Sequence, residues 1–215
     1  MASSKNSKRA LAAEQFRACF PVGLTFNGDH ANLEPMQLAH VNELNQAAAD
    51  GKLWKLKVTS VPRSESMEDY VKDAINNREQ GIQLPFVVRR AGDQKIVGTT
   101  RYYLINPSFR NVSIGYTWYS ASAQRSMINT EVKLMLLQHA FEDAGAISVQ
   151  WHTHHENIRS QNAILRLGAK FEGVLRNSQI LPDGRIRHTH CFSMLDEEWP
   201  VSKAFLSERL HHYSC

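Results

Sequence analysis

Tyr116-Thr117-Trp118-Tyr119-Ser120-Ala121-Ser122-Ala123-Gln124-Arg125-Ser126-Met127-Ile128-Asn129-Thr130-Glu131 is the stretch on which the fold turns. It begins as the aromatic-rich end of a strand, crosses a short polar loop of small side chains and enters a helix. The first turn of a helix leaves N–H groups unpaired and carries the positive end of the helix dipole, so such a passage is a ready anion site. Arg125 adds a full positive charge. The same residues also suit a plain helix start capped by Asn129 or Thr130, and the segment by itself leaves both readings open.

The pattern on either side supplies the frame. Val112, Ile114, Tyr116 and Trp118 alternate, which predicts a strand with these four residues on one face. The run Ile96 to Leu104 is β-branched and aromatic, and Asn106-Pro107 turns it back into that strand as an antiparallel pair. Strand character starts earlier, at Leu84, where Pro85 suits a strand's first residues or an edge. Before it, Leu38, Val41, Leu44 and Ala48, and then Met67, Tyr70, Val71, Ala74 and Ile75, repeat at helical spacing and predict two helices. An extended connector over 58–62 joins them, and an initial strand is expected near residues 22–33.

Downstream, residues 129–144 read as a helix with Val132, Leu136, Ala140 and Ala144 on one side and Leu137 and Phe141 beside them. Gly145 is its stop. Ile147 to Thr153 forms the next strand. Asn157 opens a shorter helix carrying Ile158, Ile164 and Leu167, and Gly168 closes it. Strands over 170–180 and 185–195 flank Pro182-Asp183-Gly184, a strong turn signal, and a polar helix ends the chain. The strand–helix–strand unit from 112 to 153 needs a crossover, which predicts two parallel neighbours with a right-handed connection. The expected class is α+β, with a sheet open near its middle.

The 215 residues suit one domain. Residues 1–20 read as a flexible or loosely packed arm and 21–215 as a single domain. No apolar run approaches the roughly 18 residues of a membrane span, and the basic start has no long apolar stretch of the kind a secretory signal needs. Cys19, Cys191 and Cys215 are too far apart for a zinc spacing and odd in number, which suits a reducing compartment and predicts a cytoplasmic protein. The net charge of +4 is spread along the chain and reads as a solvated surface rather than a nucleic-acid patch.

Several strings go further than periodicity. Val97-Gly98-Thr99-Thr100-Arg101-Tyr102, Ile114-Gly115-Tyr116-Thr117-Trp118, Asn129-Thr130-Glu131-Val132-Lys133, Asn157-Ile158-Arg159-Ser160, Leu167 through Arg176 and Glu198-Trp199-Pro200 together resemble the RimJ/RimL-type branch of the GNAT superfamily of N-acetyltransferases. The likeness runs in order over residues 23–200. Gln124 to Asn129 is similar to that family's acyl-CoA pyrophosphate loop, Gln/Arg-x-x-Gly-x-Gly/Ala, with Met127 and Asn129 in place of both glycines.

The resemblance implies the GNAT fold: a mixed, mostly antiparallel sheet splayed between two parallel central strands, with helices on both faces. It implies acetyl transfer from acetyl-CoA, as co-substrate, to a primary amine on a protein N-terminus, an amino acid or a small molecule. The implied cofactor-binding residues are Trp118, Tyr119, Gln124, Arg125, Ser126, Met127, Ile128, Asn129, Thr130, Asn157 and Ser160. The backbone N–H groups of Met127, Ile128 and Asn129 would hold the pyrophosphate with Arg125. One N–H near Trp118 or Tyr119 would polarise the thioester carbonyl, and Asn157 and Ser160 would contact pantetheine and sulfur. The implied catalytic set is Ser160, Asn157 and Glu131. For the proton that the amine must lose, the candidates are Glu131, His152, His154 and Glu156.

With both loop glycines replaced, Met127 is expected to take an ordinary negative φ. The missing glycines also keep a second reading in view, a non-catalytic acyl-CoA-binding or sensing module of the same fold. The expected partners are acetyl-CoA and an amine acceptor, with no nucleic acid and no membrane, and self-association as a homodimer left open. His152, His154 and His155 on one strand end and His188 and His190 on another invite a metal site, but no carboxylate or cysteine spacing supports one, and no metal is expected.

Overall fold

The computed structural model describes residues 12–59, 61–181 and 183–212. Residues 1–11 of the expected arm, Ser60 in the connector and Pro182 in the last turn lie outside the described residues. Residues 12–18 are helical (α1). A short hairpin follows, β1 (Phe26–Asn27) and β2 (Ala31–Pro35), then α2 (Val41–Ala49) and α3 (Ser64–Glu79). The strands β3 (Gln83–Arg90), β4 (Ile96–Asn106) and β5 (Asn111–Tyr119) lead into α4 (Ile128–Gln138). The chain ends with β6 (Ser148–His154), α5 (Ile158–Leu165), β7 (Lys170–Ile180), β8 (Ile186–Leu195) and α6 (Trp199–His212).

The strands form one mixed sheet in the order β1-β2-β3-β4-β5-β6-β8-β7. Every neighbouring pair is antiparallel except β5 and β6, which run parallel as the crossover through α4 requires. Alternate strand residues feed two apolar clusters, one on each face. On the α4 face, Val112 and Ile114 of β5 pack with Val132, Leu136 and Leu137 of α4 and with Val149 and Trp151 of β6. On the other face, Met67, Val71 and Ala74 of α3 and Leu44 and Ala48 of α2 cover Val87, Ile96 and Trp118. Pro85 sits near the start of β3, where β2 ends, so its missing N–H breaks no interior ladder.

Three expectations need correction. Residues 12–20 are not a loose arm, because Phe16 and Phe20 are buried in the α4-face core, where their rings pack against each other and Phe20 meets Tyr102 edge-on. The helix predicted over 129–144 is α-helical only to Gln138 and finishes as a π-helical turn, His139–Asp143, before Gly145 at φ +68°. The alternation through Val112, Ile114, Tyr116 and Trp118 breaks at Tyr116. Thr99 of β4 faces Trp118 and Arg101 faces Gly115, so Tyr116 and Thr117 together oppose the single residue Thr100. This bulge, with Tyr116 at φ +52°, flips the remainder of the strand and sends Trp118 to the α3 face.

Candidate acyl-CoA and acceptor site

The site begins where two parallel strands part. β5 and β6 pair only through Asn111–Ser113 and Ser148–Gln150. Beyond that, β5 stays with β4 to Tyr119 and β6 stays with β8 to His154, so a gap opens between them. Peptide groups along its edges lack a ladder partner across it, which suits an extended ligand pairing as a strand would. Ser120 N–H donates to Val97 O at 2.7 Å. By the two-residue alternation of a strand, the Tyr119 amide therefore points away from β4, into the gap. Of the two amides expected to polarise a carbonyl, Tyr119 is the one so aimed.

The loop at the wide end of the gap is built to present amides. Gln124 is locked: its Nε2 donates to Tyr119 O at 2.7 Å and its Oε1 accepts from Arg159 at 2.8 Å. That ties the end of β5 to α5 and leaves Gln124 structural. Arg125 follows at φ +61°, and its side chain is exposed. Ser126 Oγ donates to Ala123 O at 2.7 Å. Met127 takes φ −73° and ψ −14°, the ordinary helical conformation expected of it. The left-handed residue of the loop is thus Arg125, two positions before the first lost glycine. Glu131 N–H, bonded to Met127 O at 3.0 Å, belongs to the helix ladder, and Ile128 N–H donates to Ser126 Oγ at 3.4 Å, so the amides of Met127, Asn129 and Thr130 form the open end of α4.

Glu131 does not look into the gap. One carboxylate oxygen accepts from Asp29 N–H at 2.9 Å, and the other accepts from His30 and Ala31 N–H at 2.8 and 2.7 Å. The carboxylate fills the β1–β2 turn so closely that a methyl group on Gly28 would stand 2.5 Å from its carboxyl carbon. The expectation of a catalytic Glu131 is therefore corrected: its oxygens are occupied by backbone donors, and it braces the hairpin. Asn157 is the N-cap of α5, with its side-chain oxygen accepting from Ser160 N–H at 3.1 Å. The half-buried Ser160 hydroxyl has no hydrogen-bond partner among the described residues.

Lys133, one turn beyond the open end of α4, is buried. Its Nζ donates to Thr100 and Thr117 Oγ1 at 3.1 and 2.8 Å, under the β5 bulge. Burial pulls its ammonium pKa down to about 7. Sequence reading missed it, although its spacing to Leu136 and Leu137 places it on the buried stripe.

On the α3 face a row of polar side chains borders the gap. Tyr103 Oη and His152 Nδ1 are hydrogen-bonded at 2.8 Å, across β5, over Gly115. A side chain at Gly115 would meet the Tyr103 ring at 2.7 Å, so glycine there lets the two strands' side chains meet. Burial, and then the nearby Arg187 cation, lower the His152 pKa and keep the ring neutral at pH 7. Arg101 lies opposite Gly115, its guanidinium sandwiched between the rings of Tyr70 at 4.6 Å and Tyr116 at 4.4 Å.

The histidines at the ends of β6 and β8 are engaged largely by backbone groups. His154, His155 and Glu156 bring ligand atoms within 4.8 Å of one another. However, His154 Nδ1 accepts from Glu156 N–H at 3.0 Å, His188 Nδ1 accepts from Asn177 N–H at 2.9 Å, and His155 Nδ1 turns to the His188 backbone at 3.2 Å. A neutral ring that accepts at Nδ1 carries its proton on Nε2, which makes that nitrogen a donor and not a ligand. Glu156 is exposed, its carboxylate lying 3.9 Å from His154 Nδ1 and 3.7 Å from Arg185.

Comparison with known proteins agrees with this geometry. The family model for the acetyltransferase (GNAT) domain matches residues 30–170. An acetyltransferase structure from T. thermophilus is 31% identical with a TM-score of 0.76, covering 86% of this chain and 96% of its own. A GCN5-related N-acetyltransferase from Brucella melitensis is 27% identical with a TM-score of 0.78, covering 88% and 86%. RimL, a ribosomal α-N-protein acetyltransferase, shares the fold at 18% identity and a TM-score of 0.69, covering 82% and 93%. No curated protein matches. The chain belongs to the GNAT acetyltransferase family. Among the described residues no helix is long and apolar enough to cross a membrane.

Proposed function

We propose that the protein transfers the acetyl group of acetyl-CoA to a primary amine by direct attack on the thioester. The observation that carries this reading is the gap between β5 and β6, with the open end of α4 at one side and the Tyr119 amide aimed into it. The amides of Met127, Asn129 and Thr130, with Arg125, would hold the pyrophosphate, since backbone donors at a helix start bind an anion whatever their side chains. The Tyr119 N–H would stabilise the charge that grows on the carbonyl oxygen. Ser160, whose hydroxyl is free, would face the sulfur, while Asn157 fixes the turn that holds it.

His152 fits the role of proton acceptor better than Glu131, His154 or Glu156. It borders the gap, its ring is neutral, and Tyr103 fixes its orientation. The neutral amine nitrogen bonds to the acetyl carbon and the carbon–sulfur bond breaks; the surplus proton on that nitrogen passes to His152 Nε2, whose Nδ1–H is donated to Tyr103 Oη, and the leaving thiolate takes a proton from the imidazolium. A domain of 21–215 then acts as one catalytic unit with residues 12–20 packed into its core, and a cytoplasmic location suits its free thiols.

The test is release of free thiol from acetyl-CoA across a panel of amino acids, small amines and peptides. Amine-dependent thiol release is expected. Tight acetyl-CoA binding with no release on any acceptor would leave the non-catalytic acyl-CoA module instead.

A further inference from the structure

Resting on that reading, we infer that the acceptor is a primary amine that also carries an anionic group, a carboxylate or a phosphate, held by Arg101 and Arg187 on the α3 face beside the gap. The first observation is an imbalance of charge. Arg89 pairs with Glu34 and Glu43, Arg90 with Asp93, and Arg185 with Asp183 and Glu156. Among the described residues no carboxylate pairs with Arg101 or Arg187. Arg101 is only 3% exposed, yet its one polar partner is the neutral Gln83 oxygen at 2.8 Å. Its Nε and Nη2 are buried without a partner, and so is Nε of Arg187. A buried cation with unmade hydrogen bonds costs stability unless something binds it, and a planar guanidinium matches carboxylate and phosphate oxygens.

The second observation is position. Strand register puts Arg101 opposite Gly115 and His152 opposite Cys191. Arg187 lies four residues before Cys191 on β8, on the same face by alternation, and its charge is felt by Tyr103, Tyr116 and His152. Arg101 thus stands two residues from Tyr103 on the same face of β4, and Arg187 lies near enough for its charge to act on both members of the Tyr103–His152 pair that would receive the amine's proton. The third observation is the cover. Tyr116, which lies over Arg101, is 44% exposed and sits at a left-handed φ that a tyrosine adopts only under constraint. An acceptor anion would reach Arg101 past this half-exposed ring.

Matched acceptors test the inference. An amino acid is compared with its amide, and an aminoalkyl phosphate with the corresponding amino alcohol, at equal concentration of the unprotonated amine. At least one anionic member should show kcat/KM about tenfold or more above its neutral partner, the worth of one charge-assisted hydrogen bond; which arm responds tells carboxylate from phosphate. Arg101→Gln and Arg187→Gln should each remove most of that preference through KM, with the affinity for acetyl-CoA unchanged. Arg101→Gln should melt close to the wild type, because relief of a buried cation with no carboxylate partner offsets the lost contacts with Gln83, Tyr70 and Tyr116. Neutral members used as well as anionic ones would overturn the inference and leave acetyl transfer standing. So would a preference that survives both substitutions, or a lowered melting temperature with the preference intact. No thiol release from any acceptor would remove the transfer reading and this inference with it.

Discussion

The two faces of the sheet treat buried charge in opposite ways. Toward α4, Glu131 is closed onto three backbone amides and Lys133 onto two threonine hydroxyls. Toward α3, Arg101 has one neutral partner and two bare N–H groups, and the His152 ring has only Tyr103 at its Nδ1. The chain completes both of these charges on the first face with hydrogen bonds of its own, as a scaffold must. On the second it leaves Arg101 Nε and Nη2 without a hydrogen-bond partner, beside a neutral base at the edge of the gap. Identity of the side chain does not separate the two; the count of satisfied hydrogen bonds does.

The strongest way to break the comparison is Glu131→Ala. Three amides, one buried and two partly buried, lose their acceptor, so a loss of about 3 kcal/mol is expected, near 10 °C in melting temperature for a chain of this size. The rate per folded molecule at low temperature should stay within about threefold of the wild type. A general base would instead lose about a hundredfold or more, and that result would move Glu131 from brace to catalyst.

His152→Gln is next. It keeps a partner for Tyr103 but cannot take a proton, and kcat should fall about a hundredfold with little change in folding. The pH profile sharpens this. Because burial and Arg187 lower the His152 pKa, the base stays neutral through pH 7, and the wild-type rate should fall only as pH drops below the ordinary imidazole range. A limb at the usual histidine value of about 6.5 would contradict that placement.

Lys133→Met probes the finished face. Below about pH 7 the lysine is charged in both folded and unfolded chains, and the folded state bears the whole burial cost. Between about 7 and 10.5 only the unfolded chain holds the proton, so wild-type stability from this group rises with pH, by up to about 1.4 kcal/mol per unit. Above that the cost is gone. Denaturation as a function of pH should show Lys133→Met ahead at pH 7 and its lead shrinking toward pH 10, with the Thr100 and Thr117 hydroxyls, 2.9 Å apart, satisfying each other. A lead that does not change with pH would mean the ammonium is never neutralised.

The smallest effect is expected at Ser160→Ala. Turnover should fall about threefold to tenfold, the worth of one hydrogen bond, while melting moves little, since the Asn157 cap bonds the backbone of residue 160 and not its hydroxyl. An unchanged rate with a lower melting temperature would make this a helix start and nothing more.

Much of this was legible in the sequence because it depends on local patterns. Helical spacing located α2, α3 and α4, Gly145 and Gly168 marked real ends, and Asn157 capped the helix it was expected to open. The need for a crossover foretold the parallel pair. What stayed hidden depends on partners far along the chain. Glu131 meets backbone amides about a hundred residues away, and amides have no residue identity to read. The bulge at Tyr116 had one local sign, Gly115 just before it, which the alternation of Val112, Ile114, Tyr116 and Trp118 masked. The left-handed turn of the loop falls on Arg125 and not at the positions where glycine was missing. Tyr103 and His152 lie on strands that are not neighbours and meet only because Gly115 leaves room between them.

Titration of acetyl-CoA into the protein by calorimetry tests the central claim most directly, because the gap and the open end of α4 stand or fall on that ligand. The account predicts saturable binding that weakens about tenfold in Arg125→Ala, the loss of one charge-assisted contact to phosphate, and is nearly unchanged in Met127→Gly. No detectable binding at millimolar acetyl-CoA would contradict it.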